Sequence, residues 1–177
     1  FIANVLSNPQ VNQAVQTLLA NDGLILGICN GFQALIKSGL LPYGDIAKLS
    51  KESATLFRND INRHVSHIAY TRVTSNKSPW LSSFPAGARH SIAMSHGEGK
   101  FVCDEAMARA LFENGQVATQ YVDLDGDPTM NGIYNLNGSC FAIEGITSAD
   151  GRILGKMGHS ERYEDGLFQN IDGDKNQ

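Results

Sequence analysis

Cys29, set between two glycines, is the residue of this chain best suited to covalent chemistry. It follows the apolar run 24–28, which has strand character, and precedes 31–39, where apolar residues recur at helical spacing. Gly27 and Gly31 would permit the sharp strand-to-helix turn called a nucleophile elbow, with the positive end of the helix beside the sulfur. We expect that environment to lower the pKa of the thiol and to favour the thiolate. The pattern predicts a catalytic nucleophile, provided that a base lies within reach.

A candidate base lies near the C-terminus. His159 and Glu161 are two residues apart and follow two predicted strands that are joined at the turn Asp150-Gly151. Because side chains at positions i and i+2 of a strand point to the same side, the carboxylate could bond one ring nitrogen while the other faces Cys29. The three side chains together predict nucleophilic catalysis. The alternatives are a buried structural cysteine and an exposed polar turn.

Four segments occur in an order that is found in a known family. They are 27–33 (Gly-Ile-Cys-Asn-Gly-Phe-Gln), 95–99 (Ser-His-Gly-Glu-Gly), 137–139 (Asn-Gly-Ser) and 158–162 (Gly-His-Ser-Glu-Arg). In type and order they resemble the triad-type, class I glutamine amidotransferases, over about residues 5–166. The second and third segments are most similar to the glutaminase domain of phosphoribosylformylglycinamidine synthase, a purine-biosynthesis enzyme.

The resemblance implies a role for each of the three reactive side chains. Cys29 would attack the side-chain amide of L-glutamine and release ammonia, His159 would act as acid and base, and Glu161 would orient the imidazole. Water would then free glutamate from the cysteine thioester. The ammonia would pass to an ATP-dependent synthetase domain of the same polypeptide, which converts formylglycinamide ribonucleotide to formylglycinamidine ribonucleotide in de novo purine biosynthesis.

Four further residues acquire expected roles from the same resemblance. The backbone N–H of Asn30, directly after the nucleophile, would donate to the oxyanion. Gln33 would lie near the glutamine head group. Ser95 and His96 belong to the segment whose main chain would receive the α-amino and carboxylate groups of glutamine. Ordinary helix-surface and strand-end roles are the alternatives for the last three.

The chain departs from the family's pattern in two ways. Gly158 and Ser160 stand where prolines are common, although neither change alters a proposed catalytic side chain. The family's glycine-rich turn, which supplies a second oxyanion amide, and its opening strand and helix have no counterpart before the first predicted helix. We therefore expect an N-terminally truncated fragment of a longer chain, in which residues 1–177 form one glutaminase domain.

The order of elements predicts an α/β fold, and the resemblance implies the class I glutamine amidotransferase (flavodoxin-like) version of it. We expect a mainly parallel central sheet flanked by helices. Asn8 is typical of a helix N-cap, with Pro9 at the first helical position, and Asp104 would cap a second helix. Apolar and polar residues alternate over 67–74, as in a half-buried strand.

Composition restricts the partners. The 177 residues are 42% hydrophobic, enough for one core, and the formal net charge of −4 favours neither nucleic acid nor an anionic membrane surface. No apolar run reaches the roughly 20 residues that span a bilayer. Three widely spaced cysteines favour a reducing, cytoplasmic setting over a disulfide framework. We expect no cofactor or metal in this domain, with ATP and Mg²⁺ confined to the synthetase part.

Three rival hypotheses remain open. The chain could be the glutaminase of another triad amidotransferase, of the GMP or CTP synthetase type, which the segments 96–99 and 137–139 disfavour. It could be a catalytically silent amidotransferase-like docking module, which the intact reactive side chains disfavour. A cysteine hydrolase or chaperone on the same fold should carry its acid elsewhere and would not need Gln33.

Other reactive residues have ordinary interpretations. Cys103 and Cys140 lack flanking glycines and are expected in the core. A His-x-x-His pair that begins at His64 has no further ligands nearby in sequence, and the acidic residues in 123–127 lack the closing glutamate of a calcium loop. The polar stretch 58–63 is expected to face a partner domain or solvent.

Overall fold

We describe the protein from a computed structural model that covers residues 2–46 and 49–174. The helices are α1 (Ile2–Leu6), α2 (Pro9–Ala20), α3 (Asn30–Ser38), α4 (Leu40–Tyr43) and α5 (Glu105–Glu113). The strands are β1 (Ile25–Ile28), β2 (Thr55–Phe57), β3 (Val65–Val73), β4 (Arg89–His96), β5 (Lys100–Val102), β6 (Val117–Tyr121), β7 (Ile143–Thr147) and β8 (Ile153–Lys156). Within these ranges, no helix has the length and hydropathy needed to cross a membrane.

Helices α2 and α5 begin, and helix α3 ends, at the residues that the sequence predicts as caps. The side chain of Asn8 accepts hydrogen bonds from the first turn of α2, with Pro9 at its first position. Asp104 caps α5 in the same way. Helix α3 ends at Gly39, whose φ of 84° is a left-handed conformation that suits glycine. These boundaries depend on neighbours in sequence, which is why they could be predicted.

The main sheet has six strands in the order β1-β8-β7-β6-β3-β4, and β2 pairs with β5 in a second, small sheet. Among the described strands, β1 and β8 form the one parallel pair, and the other neighbours in both sheets are antiparallel. The expectation of a mainly parallel sheet is therefore wrong for this part of the chain. Parallel neighbours need long crossover connections, whereas β7 and β8 are joined by the short turn at Asp150-Gly151.

Helix α3 is held against the β1–β8 edge of the sheet by buried apolar side chains. Phe32, Leu35 and Ile36 are each at most 4% exposed and belong to the main core cluster. A methyl group on Gly155 of β8 would overlap the ring of Phe32, so glycine lets the helix approach the strand closely. This packing fixes the start of α3, and with it the position of Cys29.

Candidate active site

Cys29 occupies a strained turn between β1 and α3. Its φ of 52° and ψ of −104° are uncommon for a residue with a side chain, and such strain is concentrated at functional sites. A methyl group on Gly27 would lie 2.5 Å from the side chain of Leu35 and 2.8 Å from the backbone of Gly31. The N–H of Cys29 donates to the carbonyl of Lys156 at 2.8 Å. The predicted elbow is present, and it needs the glycine at position 27.

The pKa of the Cys29 thiol is raised, contrary to our expectation. Burial is the main cause, since the half-buried site penalises the thiolate, and the charge of Glu161 acts in the same direction. The backbone N–H of Asn30 and the charge of Arg162 lower the pKa without cancelling these effects. The S–H group donates to the carbonyl of Ser95 at 3.7 Å. Cys29 therefore rests as a thiol, and a reaction through it requires a base.

His159 and Glu161 meet as predicted, but on a different kind of turn. Strand β8 ends at Lys156, and Ser160–Arg162 form a single 3₁₀ turn. Nδ1 of His159 lies 2.6 Å from Oε1 of Glu161, and the backbone N–H of His159 donates to the carbonyl of Ala93 at 2.8 Å. Burial acts to raise the pKa of the Glu161 carboxyl, but the hydrogen bond from His159 and nearby positive charge outweigh it, so the net pKa lies below its usual value.

The second ring nitrogen of His159 is buried. The side chain is 9% exposed, and Nε2 has no hydrogen-bond partner among the described residues. Because Nδ1 donates to Glu161, Nε2 is the ring atom that can accept a proton. The charges of Glu161 and Arg162, which belong to the same turn, both act on the thiol of Cys29. The structure thus brings the turn at His159 and the elbow together.

Gln33 and Ser95 connect the elbow to the loop that follows β4. Gln33 lies in the first turn of α3, and its Nε2 donates to the carbonyl of Glu98 at 2.5 Å. Ser95 accepts from the thiol of Cys29 through its carbonyl, and its hydroxyl lies 3.1 Å from Nε2 of His64. Both residues therefore contact the elbow or the adjacent loop.

The side chain of His96 points into the protein. It is 4% exposed, and its Nδ1 lies 3.2 Å from Oδ1 of Asn59. Burial is the main reason that its pKa is lowered to about 4, and the charges of His64 and His159 lower it further. The ring of His96 is therefore neutral at neutral pH, and its main chain is the part that a ligand could meet.

Sequence reasoning missed a buried polar network behind this loop. Asn59 lies in the stretch that we expected to face solvent or a partner, yet it is 2% exposed. Its Nδ2 donates to the carbonyl of His96 at 2.9 Å, and its Oδ1 accepts from the N–H of Gly99 at 3.2 Å. Asn137 and Ser139 both donate to the carbonyl of Gly99, at 2.7 and 3.4 Å. The network joins three loops that are distant in sequence, and no local signal marks Asn59 as buried.

An open pocket of about 190 Å³ lies beside the loop that follows β4. It is lined by Arg58, Asn62, Arg63, His64, Gly97 and Glu98. Its mixed positive and negative groups suit a small zwitterion. None of the predicted site residues lines this pocket, and none lines a pocket of about 370 Å³ near the start of β4. Over residues 2–46 and 49–174, no group of three or more His, Cys, Asp or Glu side chains is placed to hold a metal ion.

An α/β fold with a cysteine elbow beside a His–Glu pair is the arrangement expected from the resemblance to glutamine amidotransferases. The profile of the CobB/CobQ-like glutamine amidotransferase domain matches residues 1–177, and the chain belongs to that family. The predicted family and fold class are thereby confirmed, apart from the direction of the strands.

The relatives of the chain include subunits of one particular enzyme. Phosphoribosylformylglycinamidine synthase subunit PurQ of Nitrobacter hamburgensis is 32% identical over 169 residues, which make up 96% of this chain and 67% of that protein. Subunit PurQ of Gloeobacter violaceus is 36% identical over 163 residues, covering 92% and 65%. A chain in the structure of PurLQS from Thermotoga maritima is 25% identical and superimposes with a TM-score of 0.68, covering 97% of this chain and 66% of that one. The chain spans about two thirds of the length of these relatives.

Proposed function

We propose that the chain hydrolyses L-glutamine to glutamate and ammonia as the glutaminase part of a phosphoribosylformylglycinamidine synthase. The observation that carries this proposal is the strained turn at Cys29 beside the hydrogen-bonded pair of His159 and Glu161, in a member of the glutamine amidotransferase family. The similarity to PurQ subunits supports the assignment to this particular synthase.

The proposed reaction begins from the neutral thiol. As the sulfur of Cys29 attacks the side-chain amide carbon of glutamine, Nε2 of His159 takes the S–H proton, and Glu161 stabilises the imidazolium. The backbone N–H of Asn30, which already acts on the sulfur, donates to the oxyanion. His159 then returns its proton to the leaving nitrogen, so that ammonia departs and a thioester remains. Water, deprotonated by His159, attacks the thioester and releases glutamate, and the thiol regains its proton.

Glutamine is proposed to bind against the loop that follows β4. The main chain of Ser95 and His96 would receive its α-amino and carboxylate groups, and Gln33 would lie beside its head group. The hydrogen bond from Gln33 to the carbonyl of Glu98 supports this placement, because it ties α3 to that loop. The mixed charge of the adjoining pocket is compatible with a zwitterionic substrate.

The ammonia is proposed to go to a synthetase that converts formylglycinamide ribonucleotide to formylglycinamidine ribonucleotide. The synthetase would bind ATP and Mg²⁺, and this chain would hold neither cofactor nor metal. The PurQ relatives are named as subunits, which indicates a separate synthetase chain in those proteins, and the alternative is a synthetase domain of the same polypeptide. We propose the second arrangement, and a cytoplasmic location for the enzyme.

Labelling with 6-diazo-5-oxonorleucine, an alkylating analogue of glutamine, tests this function. In the intact protein with its synthetase, supplied with ATP and formylglycinamide ribonucleotide, we expect one label on the peptide that contains Cys29. The label should be lost in Cys29→Ala and kept in the matched control Cys103→Ala. Absence of label in the intact, supplied enzyme would contradict the mechanism.

A further inference from the structure

Glu144 is a carboxylate buried in the centre of the main sheet. It lies on β7, is 1% exposed, and has buried neighbours along the whole strand. A charged carboxylate is costly to bury unless hydrogen bonds and charges compensate it. Its Oε2 accepts from the hydroxyl of Thr119, and its Oε1 accepts from the backbone N–H of Gly158 at 2.5 Å. Gly158 directly precedes His159, so this carboxylate holds the backbone that carries the proposed base.

Lys156 brings a second buried charge to the same place. It is 3% exposed, and burial lowers its pKa while the charges of Glu144 and Glu161 act in the opposite direction. Its side chain therefore interacts with the carboxylate on β7 and with the partner of His159. Its backbone carbonyl accepts from the N–H of Cys29 at 2.8 Å. This last contact belongs to the backbone pairing of β1 with β8 and does not involve the buried charge.

Gly158 fits this arrangement because it is small and has an N–H group. A methyl group at this position would lie 2.6 Å from Cδ1 of Ile92, so a larger residue would displace its neighbour. A proline would in addition remove the N–H that donates to Glu144. The glycine and the buried carboxylate therefore depend on each other.

We propose that Glu144 is a positioning residue, which fixes the direction of the His159 imidazole relative to Cys29 by accepting the hydrogen bond from Gly158. This inference rests on the proposed function, because it assumes that the two side chains react together. Glu144 itself lies behind the site and acts through the backbone. A carboxylate that only balanced the charge of Lys156 would not need this bond.

The test separates the hydrogen bond from the charge. In the full-length protein with its synthetase, Lys156→Met removes the buried cation, and Glu144→Gln and Glu144→Leu are compared in that background. Both double variants lack charge at positions 144 and 156, and glutamine and leucine are similar in volume. Only glutamine, however, offers a side-chain oxygen to the N–H of Gly158. We expect kcat for glutamine hydrolysis to be about tenfold or more lower in the leucine variant, with KM changed less than about twofold, because misplaced catalytic groups slow the chemical step. The exposed residue Glu113 supplies the control, since Glu113→Gln and Glu113→Leu should have equal kcat.

Amide hydrogen exchange of residues 157–162 gives a readout that does not depend on turnover. We expect faster exchange in the leucine variant than in the glutamine variant. Equal kcat in the two variants would overturn the positioning role, and equal exchange would overturn the anchoring that it requires. If the unmodified protein hydrolyses no glutamine, the proposed function fails, whereas the exchange comparison still decides whether Glu144 holds the turn.

Discussion

The turns that carry Cys29 and His159 are held in place by different means. The turn at Cys29 is strained, and it persists because Gly27 leaves room for it and α3 is packed firmly behind it. The turn at His159 has φ −90° and ψ 81° and is held by hydrogen bonds to two other strands, at the carbonyl of Ala93 and the carboxylate of Glu144. Cys29 is positioned mainly by steric packing of its own turn and helix, with one backbone hydrogen bond to the carbonyl of Lys156, whereas His159 is positioned mainly by hydrogen bonds to strands far from it in sequence.

This difference determines how each turn can fail. A change beside Cys29 adds strain to a closely packed backbone that already has an uncommon conformation. A change around His159 removes a hydrogen bond or displaces a side chain, and the turn can relax. We therefore expect a substitution beside Cys29 to lower the free energy of unfolding more than the equivalent substitution beside His159.

The largest effect is expected from substitution of Cys29, the proposed nucleophile. Cys29→Ala should reduce glutamine-dependent activity on the order of 10⁴-fold or more, since no other group forms the thioester. Synthesis from added ammonium should continue, because the ammonia-consuming reaction does not use this side chain. Steady-state assays with glutamine and with ammonium salts measure both. Loss of the ammonium-dependent reaction would mean that the substitution disrupts the protein and not only the chemistry.

Glu161→Gln should have the next largest effect, lowering kcat on the order of 10²-fold, because the imidazolium loses its stabilising charge.

The lowered pKa of Glu161 has a consequence for stability as well. The ionised contact with His159 stabilises the fold above the usual glutamate pKa, and this contribution is lost as pH falls through the lowered value. Urea unfolding of the unmodified protein and the variant should therefore differ at neutral pH and converge in acid. A difference that persists at low pH would point to a contact other than the ionised pair.

Gly27→Ala should reduce the free energy of unfolding by about 1–3 kcal/mol, because the added methyl meets both the Leu35 side chain and the backbone of Gly31. Gly31→Ala is the matched control, since a methyl there meets open space and alanine favours the helix by up to about 1 kcal/mol. Urea unfolding of the two variants compares them directly. Equal stability of the variants would show that the elbow is not tightly packed.

The smallest effect is expected at Gly158→Ala, which should cost about 1 kcal/mol because the three atoms nearest to the added methyl all belong to the side chain of Ile92. Ile92→Val removes the nearest atom and should recover part of that loss in the double variant. The same substitution should recover nothing in Gly27→Ala. A double-mutant cycle in urea measures the coupling, and zero coupling would locate the strain in the backbone of the His159 turn.

Sequence reasoning succeeded where the cause of a feature is local. The caps Asn8 and Asp104 and the glycine-flanked Cys29 could each be identified from a few adjacent residues. The direction of the strands could not, because it depends on how distant segments return to the sheet. The alternation of apolar and polar residues over 67–74 predicts the strand β3. It carries no information about which strands pair with β3 or in which direction they run.

The remaining errors concern quantities that depend on burial. The helix start at Cys29 predicts a lowered thiol pKa, but desolvation is the larger influence, and it becomes visible only when the chain is folded. Asn59 is polar and has polar neighbours, so its sequence gives no sign that it lies beneath His96. A weak signal did exist for Glu144, a single carboxylate in the otherwise uncharged strand 143–147.

The buried charges of Glu144 and Lys156 also restrict how this protein can change over generations. Loss of one charge alone weakens the electrostatic compensation of the other buried group, although its remaining contacts persist, and breaking a buried pair in this way costs up to about 3–5 kcal/mol. That is a large part of the stability of an ordinary domain. Descendants should therefore keep both residues or replace them together, and a proline at position 158 becomes accessible only after the carboxylate has gone. The order of substitutions, and not only their number, is constrained at this turn.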